Sequence, residues 1–320
     1  MTLPPSILRP PGNWNGPVPF FLSFSSFLPA ASIQMHVARR SASLALVFTL
    51  LRVRADTSPL VFTYVEHPNM LPRSFFEGGP ELQIASLFQH LLLPAKNYTI
   101  VDIGMNTGYF TLLAASTGAR VFAFEPQPLC IRNMRATLLA ENAHLRSSVC
   151  VTNVAVGDSG VLEVPDSTCF GGFRGEAVEA ASTGTDLQNI LKVPLHALLP
   201  HTPMRLVKID TEGAEATILS DLVPLARRGT VDNIVVEVVP SWWESRGATR
   251  ARGLAALTML QEVAIRTVLL DDGTPFKFPK KRVDLPAGIK GSAHEGFAMD
   301  ALIDDRSATL SGCNLWFQFR

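Results

Sequence analysis

The stretch Thr99-Ile100-Val101-Asp102-Ile103-Gly104-Met105-Asn106-Thr107-Gly108-Tyr109-Phe110 decides the fold. Its first residues form an apolar, β-branched run broken only by Asp102, which reads as a buried strand ending in a glycine turn. Tyr109 to Ser116 then reads as a helix. Gly104 and Gly108 let backbone come close to a ligand, and the helix start beyond them offers unpaired N–H groups and a positive dipole end. A nucleotide-like or carboxylate-bearing ligand fits such a turn.

Outward from this turn, strand-like and helix-like segments alternate, as expected for a parallel sheet with crossover helices. Arg120 to Glu125 is a second strand, Cys130 to Ala143 a helix, and Ser148 to Val156 a third strand. Beyond an irregular, glycine-rich stretch, Arg205 to Asp210 forms a fourth strand, and Ala214 to Arg228 a helix interrupted or kinked at Pro224. Asn233 to Val238, a helix over Arg250 to Val263, and Arg266 to Leu270 follow. Asn314 to Phe319 closes the chain as a seventh, antiparallel strand. The expectation is a Rossmann-like α/β fold, with a seven-stranded, mostly parallel sheet and helices on both faces. Between the sixth and seventh strands, Asp271 to Cys313 reads as a long loop, where compact domains prefer about 4 to 6 residues. Such a length points to a lid, a binding loop or disorder. Upstream, Glu81 to Leu93 has helical spacing and either covers one edge of the ligand site or simply packs.

Two further features carry chemistry. Glu125 ends the second strand 23 positions after Asp102, where nucleotide-binding folds place the acid that accepts ribose hydroxyls. With the glycine turn, it indicates an adenosine-containing cofactor; a G-x-G-x-x-G triplet, and with it an evident pyrophosphate clamp, is absent. The other is Lys208-Ile209-Asp210-Thr211-Glu212-Gly213-Ala214-Glu215. Lys208 and Asp210 alternate onto one face of a strand buried on both sides, where charge is costly unless paired or used. They form either a sheet-holding ion pair or part of a site, and Glu237 at the end of the next strand can face the same cleft.

These residues resemble the FkbM-type methyltransferases. The resemblance rests on Ile100 to Phe110, Phe124-Glu125-Pro126, Asn153-Val154-Ala155-Val156-Gly157 and above all the block from Leu206 to Glu215, and it spans roughly Tyr98 to Pro240. It implies a class I fold, S-adenosylmethionine (SAM) as cofactor, and methyl transfer to an oxygen of a sugar, polyketide or other small metabolite. Asn106, unusual in a generic methyltransferase glycine turn, fits this family. The cofactor residues expected are Asp102, Gly104, Asn106, Gly108, Tyr109, Glu125, Pro126 and Ala155, with Asp102 favouring the SAM ammonium. Asp210, assisted by Lys208 and Glu212, is expected to orient or deprotonate the acceptor. One departure is His196 after Leu195, where the family commonly has an acid; a base there is less expected than a solvated histidine. A metal is conceivable where Asp210, Glu212 and Glu237 converge, but acids without a paired histidine do not predict one.

The 320 residues suit one catalytic domain, taken as 58–320, preceded by a segment 1–57. Within that segment, residues 1–34 hold seven prolines without a period and read as disordered, and residues 35–55 have the layout of a signal peptide counted from Met35. Their ten-residue apolar stretch, Ala42 to Leu51, is too short for a stable membrane span, which takes about 20 residues. The secretory pathway, an organelle and the cytoplasm all stay open. Basic and acidic residues balance at 28 each, and no basic stripe suggests nucleic acid as a partner; a small-molecule or glycan acceptor is expected. Cys130, Cys150, Cys169 and Cys313 lack metal spacing and read as buried thiols more readily than as bridges. Two rivals remain: a SAM-binding protein without turnover, and a nucleotide-dependent oxidoreductase. The sequence does not define the oligomeric state.

Overall fold

A computed structural model describes residues 47–48, 62–65, 72–79, 81–93, 97–169, 186–199, 201–271 and 277–320. The expected disordered stretch 1–34 and most of the signal-like segment lie outside the described residues. The first elements are a short antiparallel pair, β1 (Val47–Phe48) with β2 (Tyr64–Val65), followed by helices α1 (Arg73–Glu77) and α2 (Leu82–Leu92). The Rossmann-like part then runs β3 (Thr99–Ile103), α3 (Tyr109–Ser116), β4 (Arg120–Phe124), α4 (Pro128–Ala140) and β5 (Val149–Thr152). A small sheet of β6 (Ala155–Val156), β7 (Gly160–Pro165) and β8 (Leu187–Val193) follows, with the one-turn helix α5 (Leu195–Leu198). The chain returns to the main sheet through β9 (Leu206–Ile209), α6 (Glu215–Arg227), β10 (Asn233–Val238), α7 (Arg250–Val263) and β11 (Arg266–Asp271). It closes with β12 (Lys281–Val283), β13 (Ser292–Glu295), α8 (Met299–Thr309) and β14 (Cys313–Gln318).

The main sheet has nine strands in the order β12-β13-β11-β14-β10-β9-β3-β4-β5. All pairings from β10 to β5 are parallel, and β14 is inserted antiparallel between β10 and β11. The strands expected from the sequence therefore form the sheet in a doubly wound order, with two more than the seven anticipated. The extra pair corrects the expectation of a structureless loop over 271–313: β12 and β13 extend the sheet edge, and α8 packs beneath it. The third expected strand is also divided, because Val149–Thr152 stays in the main sheet while Ala155–Val156 turns into the small one.

Alternation along β3 and β9 explains both core layers and the position of the buried charges. Val101, Ile103, Val207 and Ile209 point to one face, against Leu219 and Leu222 of α6 and Leu302 of α8. Ile100 and Leu206 point to the other, against α2 and α3. Asp102 and Lys208 lie on that second face as register partners on adjacent strands. Each is almost fully buried. Outside the sheet, Cys130 of α4 is bridged to Cys169 just after β7, so the expectation of thiols fails for this pair. Their sequence separation of 39 hid a closeness that only the packing of α4 beside the small sheet creates.

Candidate active site

Three strand ends are joined by backbone contacts around Gly104. Its N–H and that of Met105 donate to the Phe124 carbonyl at 2.9 and 3.1 Å, and the Asp210 N–H donates to Ile103 O at 2.9 Å. At φ +80°, Gly104 also lies so close to the Asp210 carbonyl that an added Cβ would come within 1.7 Å of it, so no other residue fits. Glu125, buried at the tip of β4, accepts from the Asn106 N–H at 2.8 Å and the Gln127 N–H at 2.9 Å. Asn153, in the turn between β5 and β6, clamps this tip by donating its amide to the carbonyls of Glu125 and Pro126, each at 2.9 Å. Burial pushes the Glu125 carboxyl up to about 7, against the lowering effect of its backbone donors. The Asn106 Oδ1 is buried without a hydrogen-bond partner and so keeps its acceptor capacity for a ligand.

On the adjoining strand, Lys208 Nζ donates to Asp210 Oδ2 at 2.9 Å, lies 4.0 Å from Asp102 Oδ1 and sits 5.0 Å from the centre of the Phe110 ring. Burial alone would lower the Lys208 ammonium, but Asp210 and Asp102 more than offset it and hold the pKa above its ordinary value. Burial raises Asp210 in turn, and Lys208 outweighs that effect, so Asp210 is held below the usual carboxylate range. Glu215 shapes the loop that follows. Its Oε1 accepts from the Gly213 N–H at 2.7 Å and the Thr211 hydroxyl at 3.1 Å, and its Oε2 accepts from the Trp243 indole at 3.0 Å. This fixes Glu212 at φ +54° beside Asp210.

These elements enclose a cavity of about 350 Å³ at the C-terminal edge of the parallel strands, within the size range of small-molecule sites. Of the expected site residues, Gly104, Asn106, Tyr109, Glu125, Pro126, Ala155, Lys208, Asp210 and Glu212 line it. Asp102 and Gly108 do not. The Asp102 carboxylate sits behind the loop, accepting from the Thr111 hydroxyl at 2.6 Å, and burial raises its pKa. Gly108, at φ +84°, faces the Met134 side chain, which stands 2.5 Å from where a Cβ would be. Asp102, expected to favour the ammonium of the cofactor, thus lies behind the cavity wall, 4.0 Å from the Lys208 ammonium. His196 lies outside the cavity, its side chain 70% exposed and 3.4 Å from Asp221.

Other lining residues were not anticipated. Phe75 and Phe76 of α1 form a wall, fixed by Tyr109, whose ring stacks on Phe76 at 4.3 Å and whose hydroxyl donates to Glu77 at 3.2 Å. Glu81, before α2, adds a carboxylate, while Glu237, on β10, lines the cavity with Asp210 as its strand position suggested. Burial, then Asp210, pushes Glu81 up to about 7 and Glu237 well above its ordinary value. Six acidic and three basic residues line the cavity in all, three of the acids with raised pKa values, so it offers a ligand many hydrogen-bonding groups and a negative charge that grows with pH. Asp210, Glu212 and Glu237 can each bring one oxygen within 4.8 Å of the others, close enough to share a cation.

Residues 102–262 match the methyltransferase FkbM domain family model. No curated protein sequence matches the chain. Among solved structures, a precorrin-6Y C5,15-methyltransferase from Geobacter metallireducens is 13% identical, with a TM-score of 0.33 over 74% of this chain and 88% of that one. The C-terminal domain of a precorrin-6Y C5,15-methyltransferase from Rhodobacter capsulatus is 15% identical, at TM-score 0.34 over 73% and 86%. A human methyltransferase 10 domain containing protein is 10% identical, at TM-score 0.36 over 75% and 82%.

Proposed function

The chain belongs to the FkbM methyltransferase family, and from this premise we propose that it uses SAM to methylate a hydroxyl oxygen of a small metabolite or sugar. The observation that carries the proposal is a single cavity holding both a cofactor-type turn and an acid-lined pocket. Asn106 and Glu125 suit the nucleoside end, since one offers an unpartnered buried oxygen and the other a strand-tip carboxylate. Pro126 and Ala155 supply apolar surface beside them. Gly104 and Tyr109 border the turn that would take the amino-acid end, and the acidic excess near Asp210 suits a cationic sulfonium.

When bound, such a cofactor supplies an electrophilic methyl group that an acceptor oxygen attacks in line. The protein's own part is to hold that oxygen on the attack axis and to receive its proton. Asp210 would do both, and the reading is supported by its carboxylate lining the cavity with Lys208 bonded to it and Glu212 two residues on. Calorimetry with SAM followed by a labelled-methyl assay on cell extract tests this. Binding with label transferred to a small molecule supports the proposal, whereas binding without any transfer favours a silent SAM-binding protein. Thermal stabilisation by NAD(P) but not by SAM would replace it with an oxidoreductase.

For location, the signal-like segment 35–55 and the Cys130–Cys169 bridge both favour the secretory pathway, since such bridges persist in oxidising compartments. Among the described residues no helix is long and apolar enough to cross a membrane.

A further inference from the structure

We propose that Asp210, Glu212 and Glu237 form a binding site for one divalent cation of the oxygen-preferring class, Mg²⁺, Mn²⁺ or Ca²⁺, at the acceptor end of the cavity. Their ligand atoms lie within 4.8 Å of one another. Oxygens on opposite sides of such an ion, at bond lengths of about 2.1 to 2.4 Å, are separated by roughly 4.2 to 4.8 Å, so the three can meet one ion without backbone movement. Lys208 engages Asp210 through Oδ2, and Asp210 is also hydrogen-bonded to the Glu237 carboxyl, a proton-sharing contact that a cation between the two would replace. Glu212 stands on the loop that Glu215 ties to Gly213, Thr211 and Trp243, and Glu237 stands on the neighbouring strand β10. The ligands are therefore carried by fixed elements.

An independent observation comes from a distant part of the chain. Glu81, before α2, lines the same cavity, and its Oε2 is buried with no hydrogen-bond partner. A buried carboxylate oxygen left without a partner is costly. It is accounted for if it accepts from a water on the cation, as outer carboxylates do around metal sites. Charge agrees: Glu81, Asp210, Glu212 and Glu237 all line the cavity, where Lys208 faces Asp210 and Glu81. The ion would hold the acceptor oxygen beside the methyl donor and ease loss of its proton to solvent, in place of direct proton uptake by Asp210. That use rests on the transferase function proposed above, whereas binding of the ion is tested without it.

The test is a titration of the chelator-stripped full chain with Mn²⁺, following free ion by electron paramagnetic resonance, with SAM affinity measured on the same samples. The expected result is one saturable site, with its Kd raised at least about tenfold in Glu237→Gln and Glu212→Gln and severalfold in Glu81→Gln. Glu212 lies partly exposed on a loop, so its variant keeps the test usable should Glu237→Gln fail to fold. Absence of saturable binding by the native chain overturns the site, as does unchanged binding in a folded Glu212→Gln variant. SAM binding without Mn²⁺ binding removes the cation and leaves the transferase proposal standing; Mn²⁺ binding without SAM does the reverse.

Discussion

Glu125 joins backbone geometry to proton chemistry, because the carboxyl that tethers Asn106 and Gln127 is also buried enough to titrate at about 7. Its folded pKa is raised above the ordinary 4.5, so its contribution to stability is fully present below about 4.5 and is lost as pH rises through about 7. Ribose hydroxyls bind an ionised acceptor more strongly than a neutral one. SAM affinity should therefore fall as pH drops below about 7, by up to about tenfold per unit, and calorimetry across pH 5.5 to 8 would show it. Glu125→Gln should flatten that slope while weakening binding; a slope kept in the variant would point to another group. At Asp210, replacement with Asn keeps a side-chain partner for Lys208 but removes the charge. SAM affinity should stay within a few-fold while turnover is lost, and a turnover number near that of the native chain would take Asp210 out of the chemistry. Gly104, Asn106, Glu125, Lys208 and Asp210 were legible in the sequence because each is tied to a strand end by its own neighbours. Glu81 was not, since it reaches Asp210 across more than a hundred residues and no local pattern records that.

The same division separates readable elements from those missed. Strands β3, β4, β9 and β10 announce themselves as apolar runs buried on both faces, whereas β13 buries only Ala293 among four residues and exists because β11 offers it an edge. In α8 the buried Met299, Leu302, Ile303 and Arg306 do follow helical spacing, so that element was readable but weakened by an arginine in the apolar position. Packing can also reverse a local rule. Gly253, inside α7, would gain about 1 kcal/mol of helix propensity as alanine. Its added Cβ, however, would stand 2.3 Å from the Trp243 ring, which is fully buried and bonded to Glu215. Overpacking of this kind costs about 1 to 3 kcal/mol and outweighs the gain. Gly253→Ala should thus lower stability in urea unfolding and loosen the Glu212 loop; a stabilised variant would show that Trp243 moves aside freely. The bridge between α4 and the end of β7 closes a loop across 39 positions, worth about 2 to 4 kcal/mol on chain-entropy grounds. Cys130→Ser should lower Tm by several degrees in non-reducing buffer, and the difference should vanish when both proteins are reduced.

Across the whole molecule, the FkbM match covers the sheet from Asp102 through α7, while the bridge and the N-terminal segment bear on where the chain works. The two are linked by physical placement. Cys130 lies one turn into the helix that begins after Glu125-Pro126-Gln127, so bridging it to Cys169 braces the strand tip against the small sheet that supplies Ala155. A reducing compartment would leave that brace open, and the tip would be held to the end of β5 and the β5–β6 turn by the Asn153 clamp and the Glu125 N–H to Thr152 O bond without it. Secretory-pathway entry would keep the brace closed and remove the segment up to about residue 55. The expected outcome in protein isolated from its native cells, alkylated before reduction, is a mature N-terminus near residue 56 together with a peptide linking Cys130 to Cys169. An N-terminus at Met1 with Cys130 alkylated would place the chain in a reducing compartment and overturn the secretory proposal. SAM affinity should in that case be indifferent to reductant, whereas a chain that works with the bridge closed should lose affinity on reduction.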